Sequence, residues 1–401
     1  MNQLFSRCTP NRKSSMKSVS SIIISILFFT SVNAQNIHHT DVIALGMGNA
    51  YLSDGHDFNA FLYNPALLAR LDKRLHVEFG NVEVSISSNF FSKKDFLEDN
   101  QEDFVNFQVN ALSSEPELNT RSLNLQKEVQ EDILDEPTEL SFSPSLLIKW
   151  WHLGLALYTD WSYGFVMDFE GVIDPQNQRF EAPSARTRGE QDIAVIIGYG
   201  TSVKYVKGLS VGGSFKFFRR RLAQRRLAPV DFDNVINISR SALGESNYFT
   251  RFGLDFGVTY DIKKNLSVGL VLNDIIDSNN FADVEPMSLN VGMSYQVSND
   301  LTFNVDIIDL LDKTDNDFVE KNIRFEETDR IRMGAQYSKV RFANLTLPLR
   351  IGLGGGFITA GFGVVSQSFY KFKVRLDYAL ANSSKIDELE HVAQLKLNFK
   401  L

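Results

Sequence analysis

The sequence predicts an all-β protein, a closed antiparallel transmembrane β-barrel of about fourteen strands. We also expect an N-terminal luminal hatch segment and a helical extracellular loop insertion. Three observations support this fold class. They are an export signal, a period-two alternation of apolar and polar residues, and short turns that alternate with long loops.

Residues 1–34 have the composition of a secretory signal peptide. The apolar run 19–29 follows four basic residues and no acidic residue, namely Arg7, Arg12, Lys13 and Lys17. A bilayer-spanning helix needs about 20 apolar residues, so this run is too short, and a membrane anchor is the alternative. We expect cleavage near Ala34, with translation starting at Met1 or Met16.

Cleavage would remove Cys8, the only cysteine, so the mature chain would have no disulfide and no cysteine-bound metal. Four positive charges would leave with it, and the net charge of −8 would become about −12. Such an acidic balance argues against nucleic acid as a partner. We expect no cofactor.

Apolar and polar residues alternate over 252–262, 287–297 and 393–400. In 287–297, for example, Met, Leu, Val, Met, Tyr and Val occupy the odd positions. This pattern predicts strands with one apolar and one polar face. A soluble β-protein would bury the apolar face, whereas an outer-membrane barrel would turn it toward lipid.

The connection lengths favour the membrane barrel, in which short periplasmic turns alternate with long external loops. The short turns are 207–208, 261–265, 299–300 and 368–370, and the long connections are 219–248, 276–286 and 311–328. We place the strands at 75–89, 139–150, 152–164, 191–206, 209–218, 249–261, 266–275, 287–298, 301–310, 329–339, 346–354, 357–367, 371–380 and 390–400. This even number puts both termini on the periplasmic side.

Residues 35–74 precede the barrel (75–401) and lack the alternation of a strand. Asn64-Pro65 is typical of a helix start, because asparagine caps the first turn and proline lacks only a dispensable N–H. A folded segment ahead of the first strand would find shelter in the lumen, where it would plug the pore. The alternative is a periplasmic tail packed beneath the barrel.

The stretch GMGNAYLSDGHDFNAFLYNPALLARLD resembles the amino-terminal signature of the FadL (OMPP1/TodX) superfamily of outer-membrane proteins. The matching positions are Gly46, Gly48, Ala50, Asp54, Ala60, Asn64, Pro65, Ala66 and Leu67. The resemblance implies a hatch inside a fourteen-stranded barrel. It implies gating by the residues Gly46, Gly48, Ala50, Asn64, Pro65 and Ala66.

Within that superfamily, FGLDFGVTYDIKKNLSVGLVLNDI resembles the recurring unit of TraF-type and PorV-like barrels. The resemblance implies passive transport of hydrophobic small molecules across the outer membrane of a Gram-negative bacterium. The alternative is a non-enzymatic accessory or anchor that binds a secretion or conjugation protein. A hydrophobic route needs apolar side chains that point inward. The sequence offers Val271 and Ile308 but no contiguous track.

Five arginines, Arg219, Arg220, Arg221, Arg225 and Arg226, stand at the start of a long loop on the predicted external side. Guanidinium groups there could bind phosphates of lipopolysaccharide, in addition to the outer-membrane lipid around the barrel. A solvated loop and a pore rim are the alternatives.

The acidic insertion 92–137 has apolar residues at helical spacing, namely Phe96, Phe104, Phe107, Leu125, Val129 and Ile133. We expect a helical loop that covers the barrel mouth, or a docking surface for a partner as the alternative.

The sequence gives little support for catalysis or metal binding. His38, His39 and Asp41 could contact a metal, and His56-Asp57 could serve acid–base chemistry. The first group lies near the mature terminus, where chains are commonly disordered. No hydrolase, zinc-protease or phosphate-loop motif is present. We therefore expect no catalytic and no metal-binding residues.

Overall fold

The computed structural model describes residues 41–54, 57–111, 115–132, 138–168, 184–228, 235–275, 287–311, 330–354, 357–366, 371–383 and 388–400. The expected signal peptide, His38, His39, Gly55, His56 and Ile133 lie outside these residues.

Sixteen strands are described. They are β1 His76–Ser87, β2 Thr138–Trp150, β3 Leu153–Asp168, β4 Ser184–Ser202, β5 Leu209–Leu227, β6 Phe249–Lys263, β7 Leu266–Asn273, β8 Ser288–Ser298, β9 Leu301–Ile307, β10 Ile331–Tyr337, β11 Arg341–Phe342, β12 Leu345–Thr346, β13 Leu349–Gly354, β14 Phe357–Ser366, β15 Phe372–Ser383 and β16 Glu388–Lys400.

The helices are short apart from one in the long insertion. They are α1 Val42–Leu45, α2 Ala60–Tyr63, a 3-10 helix Pro65–Ala69, α3 Phe90–Asp99, α4 Gln101–Val105, α5 Phe107–Ala111, α6 Pro116–Asp132 and α7 Val235–Glu245. Among the described residues, no helix has the length and hydropathy needed to cross a bilayer.

Fourteen of the strands form a closed antiparallel barrel. Each strand from β1 to β10 pairs with the next, β10 pairs with β13, and β13 to β16 follow in order. Pairing of β1 with β16 closes the ring, so no edge is left unsatisfied. The predicted fourteen-stranded barrel is confirmed, and every predicted strand overlaps an observed one.

Two errors in strand position have a physical cause in the pairing. The predicted strand 346–354 begins at Leu349, because 341–346 forms the small hairpin β11–β12, which pairs with β14. The strand predicted to end at residue 218 continues to Leu227, because β4 extends beside it and pairs along its whole length. The loop assigned from residue 219 onward is therefore partly strand.

The outer face of the barrel is apolar and the inner face is largely polar. On β6, Phe256 and Tyr260 are 46% and 41% exposed, whereas the residue before each of them, Asp255 or Thr259, is buried. Met293, Tyr295 and Val297 repeat this exposure on β8. A contiguous apolar surface of this extent requires cover, and a bilayer supplies it around a closed barrel. The soluble alternative, which buries the apolar face, is inconsistent with this orientation.

The barrel has two unlike ends. The short turns and the first strand's start lie at one end, here called the turn end, and the long connections lie at the other, the loop end. Helices α3 to α6 occupy the loop end, as the spacing of the acidic insertion predicted.

The helices of the insertion pack around Phe90, Leu97, Phe104, Phe107, Leu125 and Val129. This cluster rests on Phe165 and Leu227 and on the partly buried Ile86 and Leu140. All four lie on the strand faces that point away from the lumen, since Glu83, Glu139 and Asp192 mark the opposite face. The described packing is thus on the outer wall, and a role as a cover for the mouth stays a prediction.

Candidate functional site: the barrel lumen

Asn64 and Pro65 fix the local structure of the amino-terminal segment. The Asn64 side-chain oxygen accepts a hydrogen bond from the Ala66 N–H at 3.0 Å, and its amide donates to the Leu52 carbonyl at 3.0 Å. Pro65 occupies the first position of the helix. The predicted helix start is confirmed, although the helix is a 3-10 helix of five residues.

Residues 41–54 and 57–71, here called the luminal segment, lie against inward-facing glycines of the barrel. These glycines form a glycine belt made of Gly154, Gly198, Gly200, Gly212, Gly257, Gly269, Gly292, Gly334, Gly352 and Gly354. A Cβ atom added at Gly212 would lie 2.5 Å from the Pro65 carbonyl carbon, and at Gly334 it would clash with Met47. The belt lets the segment's backbone approach the barrel wall.

Neighbouring strands place these glycines side by side. Gly212 is in register with both Gly200 and Gly257, and the pairs 154/198, 269/292 and 334/352 are also in register. The sequence analysis did not predict the glycine belt. The signal that could have revealed it is the presence of glycine on the polar face of most strands.

The glycines of the segment itself make equally close contacts. Gly48 has a φ of 63°, and a side chain there would also clash with the Leu353 carbonyl. Its N–H donates to the Thr359 hydroxyl at 2.9 Å. Gly46 ends α1 close to Gly361, and the Ala50 carbonyl accepts from the Asn304 amide at 2.9 Å. The predicted gating residues are therefore buried contacts with the barrel.

Buried charges connect the luminal segment to the barrel wall. Asp41 accepts from the Lys396 ammonium at 2.6 Å, and both side chains are fully buried. Burial alone would raise the pKa of Asp41, but the Lys396 charge and the hydrogen bonds from Lys396, Asn59 and the Ile43 N–H hold it below its usual value. Asp41 is thus an ion-pair partner and the N-cap of α1.

A second charged group surrounds Asp57. Its carboxylate lies 3.6 Å from Arg375, which also contacts Asp377 at 2.5 Å. Asp377 in turn lies 2.9 Å from Arg350. Among the described residues, no group of three His, Cys, Asp or Glu side chains could hold a metal ion. Asp57 therefore has a cationic partner on the barrel wall, Arg375.

Asp306 of β9 holds the middle of the segment through its backbone. One carboxylate oxygen accepts from the N–H groups of Tyr51 at 2.6 Å and Leu52 at 2.9 Å. Two hydrogen bonds that converge on one carboxylate oxygen fix the orientation of this turn. The contact joins residues 255 positions apart in the chain.

An apolar patch lines one side of the lumen. It consists of Leu147, Ala156, Tyr158, Ala194, Ile196 and Phe218 from β2 to β5, and we call it the apolar wall. Phe58, Phe61 and Leu68 of the luminal segment pack against it. The prediction of no contiguous apolar track was therefore wrong. Each strand contributes only one or two inward apolar residues, so the patch exists only when four strands pair.

The two residues singled out for a hydrophobic route lie elsewhere. Val271 is fully buried among Ile43, Ala44 and other apolar residues of the luminal segment. Ile308 is buried just beyond the end of β9. Neither belongs to the apolar wall.

Toward the loop end the lumen becomes polar and charged. Arg220 lies 2.6 Å from Asp192, and Lys216 lies 2.7 Å from Asp255 and 3.2 Å from Asp274. At the turn end, a cavity of about 380 Å³ is lined by residues that include Gln336, Ser338, Lys373 and Arg375. The apolar wall and the luminal segment lie between the charged loop-end region and this cavity.

The five predicted arginines do not act as one loop cluster, because all of them lie on β5. Arg220 points inward to Asp192 and Glu190. Arg219 and Arg221 point outward, Arg225 lies 3.3 Å from Glu245, and Arg226 is in register with Arg186. Alternation along the strand separates the charges, so a single phosphate site of five arginines is excluded.

No family model matches the sequence, and no curated protein matches it. Solved structures do match. The toluene transporter TbuX of Ralstonia pickettii is 11% identical, with a TM-score of 0.51 over 91% of this chain and 99% of that one. A deletion mutant of the monoaromatic hydrocarbon channel TodX is 11% identical, with a TM-score of 0.52 over 90% and 98%.

The chain has the fold of these transport barrels. The fold expected from the resemblance to the FadL superfamily is therefore confirmed over nearly the whole chain. At this identity the likeness concerns the fold alone, and the apolar wall and glycine belt are properties of this sequence.

Proposed function

We propose that this protein is a channel for passive passage of hydrophobic small molecules across the outer membrane of a Gram-negative bacterium. TbuX is a toluene transporter and TodX a monoaromatic hydrocarbon channel, and this chain shares their barrel fold. The observation that carries the proposal is the apolar wall inside a largely polar lumen. Binding sites for small apolar molecules are lined by such surfaces.

We propose that the luminal segment is the hatch of this channel and that Gly46, Gly48, Ala50, Asn64, Pro65 and Ala66 hold its closed form. A solute at the apolar wall would touch Phe58 and Phe61, which cover the wall from the lumen side. The cavity at the turn end is lined in part by Arg375, which contacts Asp57 of the segment. Passage therefore requires a local shift of the segment around Phe58 and Phe61, while its ion pairs keep the remainder in place.

The test is the initial uptake rate of radiolabelled toluene by cells that express the protein. Ala194→Phe would place a large side chain in the space beside the apolar wall. Ile196→Asn would make the wall polar without adding bulk. Both variants should lower uptake severalfold. Ala393→Phe is the matched control, because Ala393 is on the lipid-facing side of β16 and should leave uptake unchanged. If both wall variants took up toluene at the wild-type rate, a route along the apolar wall would be rejected.

A second candidate function is an accessory or anchor for a secretion or conjugation protein. The observation that favours it is the exposed apolar surface of the insertion, where Phe91, Val105 and Val109 are 62%, 52% and 71% exposed. Purification in mild detergent tests this candidate. A stoichiometric protein partner that is lost in Phe91→Ser with Val109→Ser would support it, and an apolar molecule without a protein partner would support the channel.

A further inference from the structure

Two arginines with outward-facing side chains stand at the loop-end border of the apolar outer face. Arg219 and Arg221 follow Phe215 and Phe217 on the same face of β5. Phe215 is 42% exposed, and the rings of both phenylalanines lie within 6 Å of the exposed Phe252 ring on β6. Aromatic girdles of this kind mark the membrane interface in outer-membrane barrels.

The height of the two arginines follows from strand geometry. A strand rises about 3.3 Å per residue and is tilted by roughly 40° in such barrels, so Arg219 and Arg221 lie roughly 5 and 10 Å above Phe217 toward the loop end. Charged side chains at the midplane of a bilayer are costly, but near the interface the cost falls to about 0–1 kcal/mol. The two guanidinium groups are therefore placed where the headgroups of the outer leaflet begin.

Neutral groups position both guanidinium groups. The Arg219 and Arg221 guanidinium carbons lie 4.2 and 4.8 Å from the centroid of the Tyr248 ring. The Arg221 Nε donates to the Gln191 side-chain oxygen at 2.7 Å, and the Tyr248 hydroxyl donates to the same oxygen at 3.1 Å. Tyr248 and Gln191 thus hold two cations close together without neutralising either.

The other arginines of this strand differ in this respect. Arg220 is paired with Asp192 and Glu190, and Arg225 is paired with Glu245. Within the described part of the chain, neither Arg219 nor Arg221 has a carboxylate partner. Two adjacent cations held without an anion are stabilised when an anion from outside joins them.

We propose that Arg219 and Arg221 bind a phosphate group of an anionic lipid headgroup in the outer leaflet. Guanidinium groups suit this ligand, since their planar N–H pairs match phosphate oxygens. The lipid's acyl chains would lie against Phe215, Phe217 and Phe252 below the site. Arg220 and Arg226 take no part, because their side chains belong to the inner face. The proposal is independent of what passes through the lumen.

The test is binding of lipid A to the purified protein in detergent, measured by native mass spectrometry. Three probes are compared: lipid A with its phosphates, the same lipid after removal of the phosphates, and inorganic phosphate. The wild type should prefer the phosphorylated lipid by at least about tenfold, as expected for two charge-assisted contacts. Arg219→Gln with Arg221→Gln should abolish this preference.

Two single variants complete the design. Arg341→Gln removes an exposed charge at the turn end and should leave the preference unchanged. Tyr248→Leu keeps both charges but removes the aromatic ring that positions the two guanidinium groups. The preference for the phosphorylated lipid should therefore fall to an intermediate value. Heat-dependent mobility in SDS gels shows that each variant is folded. The proposal would be overturned if the wild type bound the two lipids equally, or if the double variant kept the wild-type preference for the phosphorylated lipid. A preference of the wild type for inorganic phosphate would overturn it as well.

Discussion

Two parts of the chain that are not barrel strands pack on the barrel in opposite ways. The luminal segment lies inside and meets glycine backbone, buried ion pairs, the Asp306 carboxylate and the apolar wall. The helical insertion, residues 90–132, lies outside and meets apolar side chains such as Phe165 and Leu227. The difference follows from the inverted polarity of a membrane barrel, whose inner face is polar and whose outer face is apolar.

The inner contact combines apolar burial with close backbone approach and buried ion pairs, whereas the outer contact is chiefly burial of apolar area. The luminal segment packs Phe58, Phe61 and Leu68 on the apolar wall, and close backbone approach and paired charges hold the rest of it. The insertion instead behaves like the small core of a soluble domain. The two contacts should therefore respond differently to substitution.

The largest effect should come from deletion of residues 36–70. The closed sheet needs no help from the lumen to satisfy its backbone, so the barrel should fold and remain heat-modifiable in SDS gels. Its conductance in planar bilayers should rise from near zero to that of an open pore. An unchanged conductance would show that the segment does not block the lumen.

Separation of the buried ion pair should have the next largest effect. Lys396→Met leaves Asp41 unpaired and should destabilise the protein by about 3–5 kcal/mol, as Asp41→Asn should to a lesser extent. The double variant should cost less than the sum of the two. Denaturant unfolding in detergent measures all three, and strict additivity would contradict a direct pair.

The same pair predicts a pH dependence with a definite sign. The pKa of Asp41 lies below its ordinary value of 3.8 in the folded protein, so its ion pair stabilises the protein above that pH. The contribution should be lost as the pH falls below 3.8 through the folded pKa. In this pH range, the unfolding midpoint of Asp41→Asn should depend less on pH than the midpoint of the wild type.

Two adjacent glycines, Gly212 on the inner face and Gly213 on the outer face, allow a direct comparison, with a smaller expected loss of stability. Gly212→Ala forces a methyl group against Pro65 and should cost about 1–3 kcal/mol by overpacking. Gly213→Ala is the matched control on the outer face, where the nearest atom, the Asp255 carbonyl oxygen, would lie 3.4 Å away. Its change should stay within about 0.5 kcal/mol. Equal costs would mean that the belt does not fit the luminal segment.

The smallest effect on the barrel should come from the insertion. Phe104 is fully buried among the helices and does not touch the lumen. Phe104→Ala should open the insertion to protease cleavage while the unfolding midpoint of the barrel remains unchanged. A matching loss of barrel stability would show that the insertion supports the strands.

Much of the fold could be predicted because its signals are local. The alternation around Met293 or Phe256 gives the strand and its lipid-facing side, and Asn64-Pro65 gives the helix start. The end of β5 could not be predicted, since the run of arginines after Phe218 looks like a loop until β4 is beside it. The separation of Arg219 from Arg220 onto opposite faces follows from the same pairing.

The candidate site depended still more on tertiary structure. Tyr158, Ala194 and Phe218 each look like an isolated exception on a polar face, and only strand pairing joins them into the apolar wall. The glycine belt likewise spans most of the barrel, and its purpose is visible only when the luminal segment lies against it.

By itself, the sequence determined the number of strands, the direction of each apolar face and the presence of a separate amino-terminal segment, because hydrophobic periodicity and turn chemistry act over a few residues. Only the tertiary structure decided which inward residues meet, where the luminal segment rests and which arginines stay free of carboxylates. Those contacts join residues up to 355 positions apart, as in the pair of Asp41 and Lys396. Closure of the ring brings such residues together.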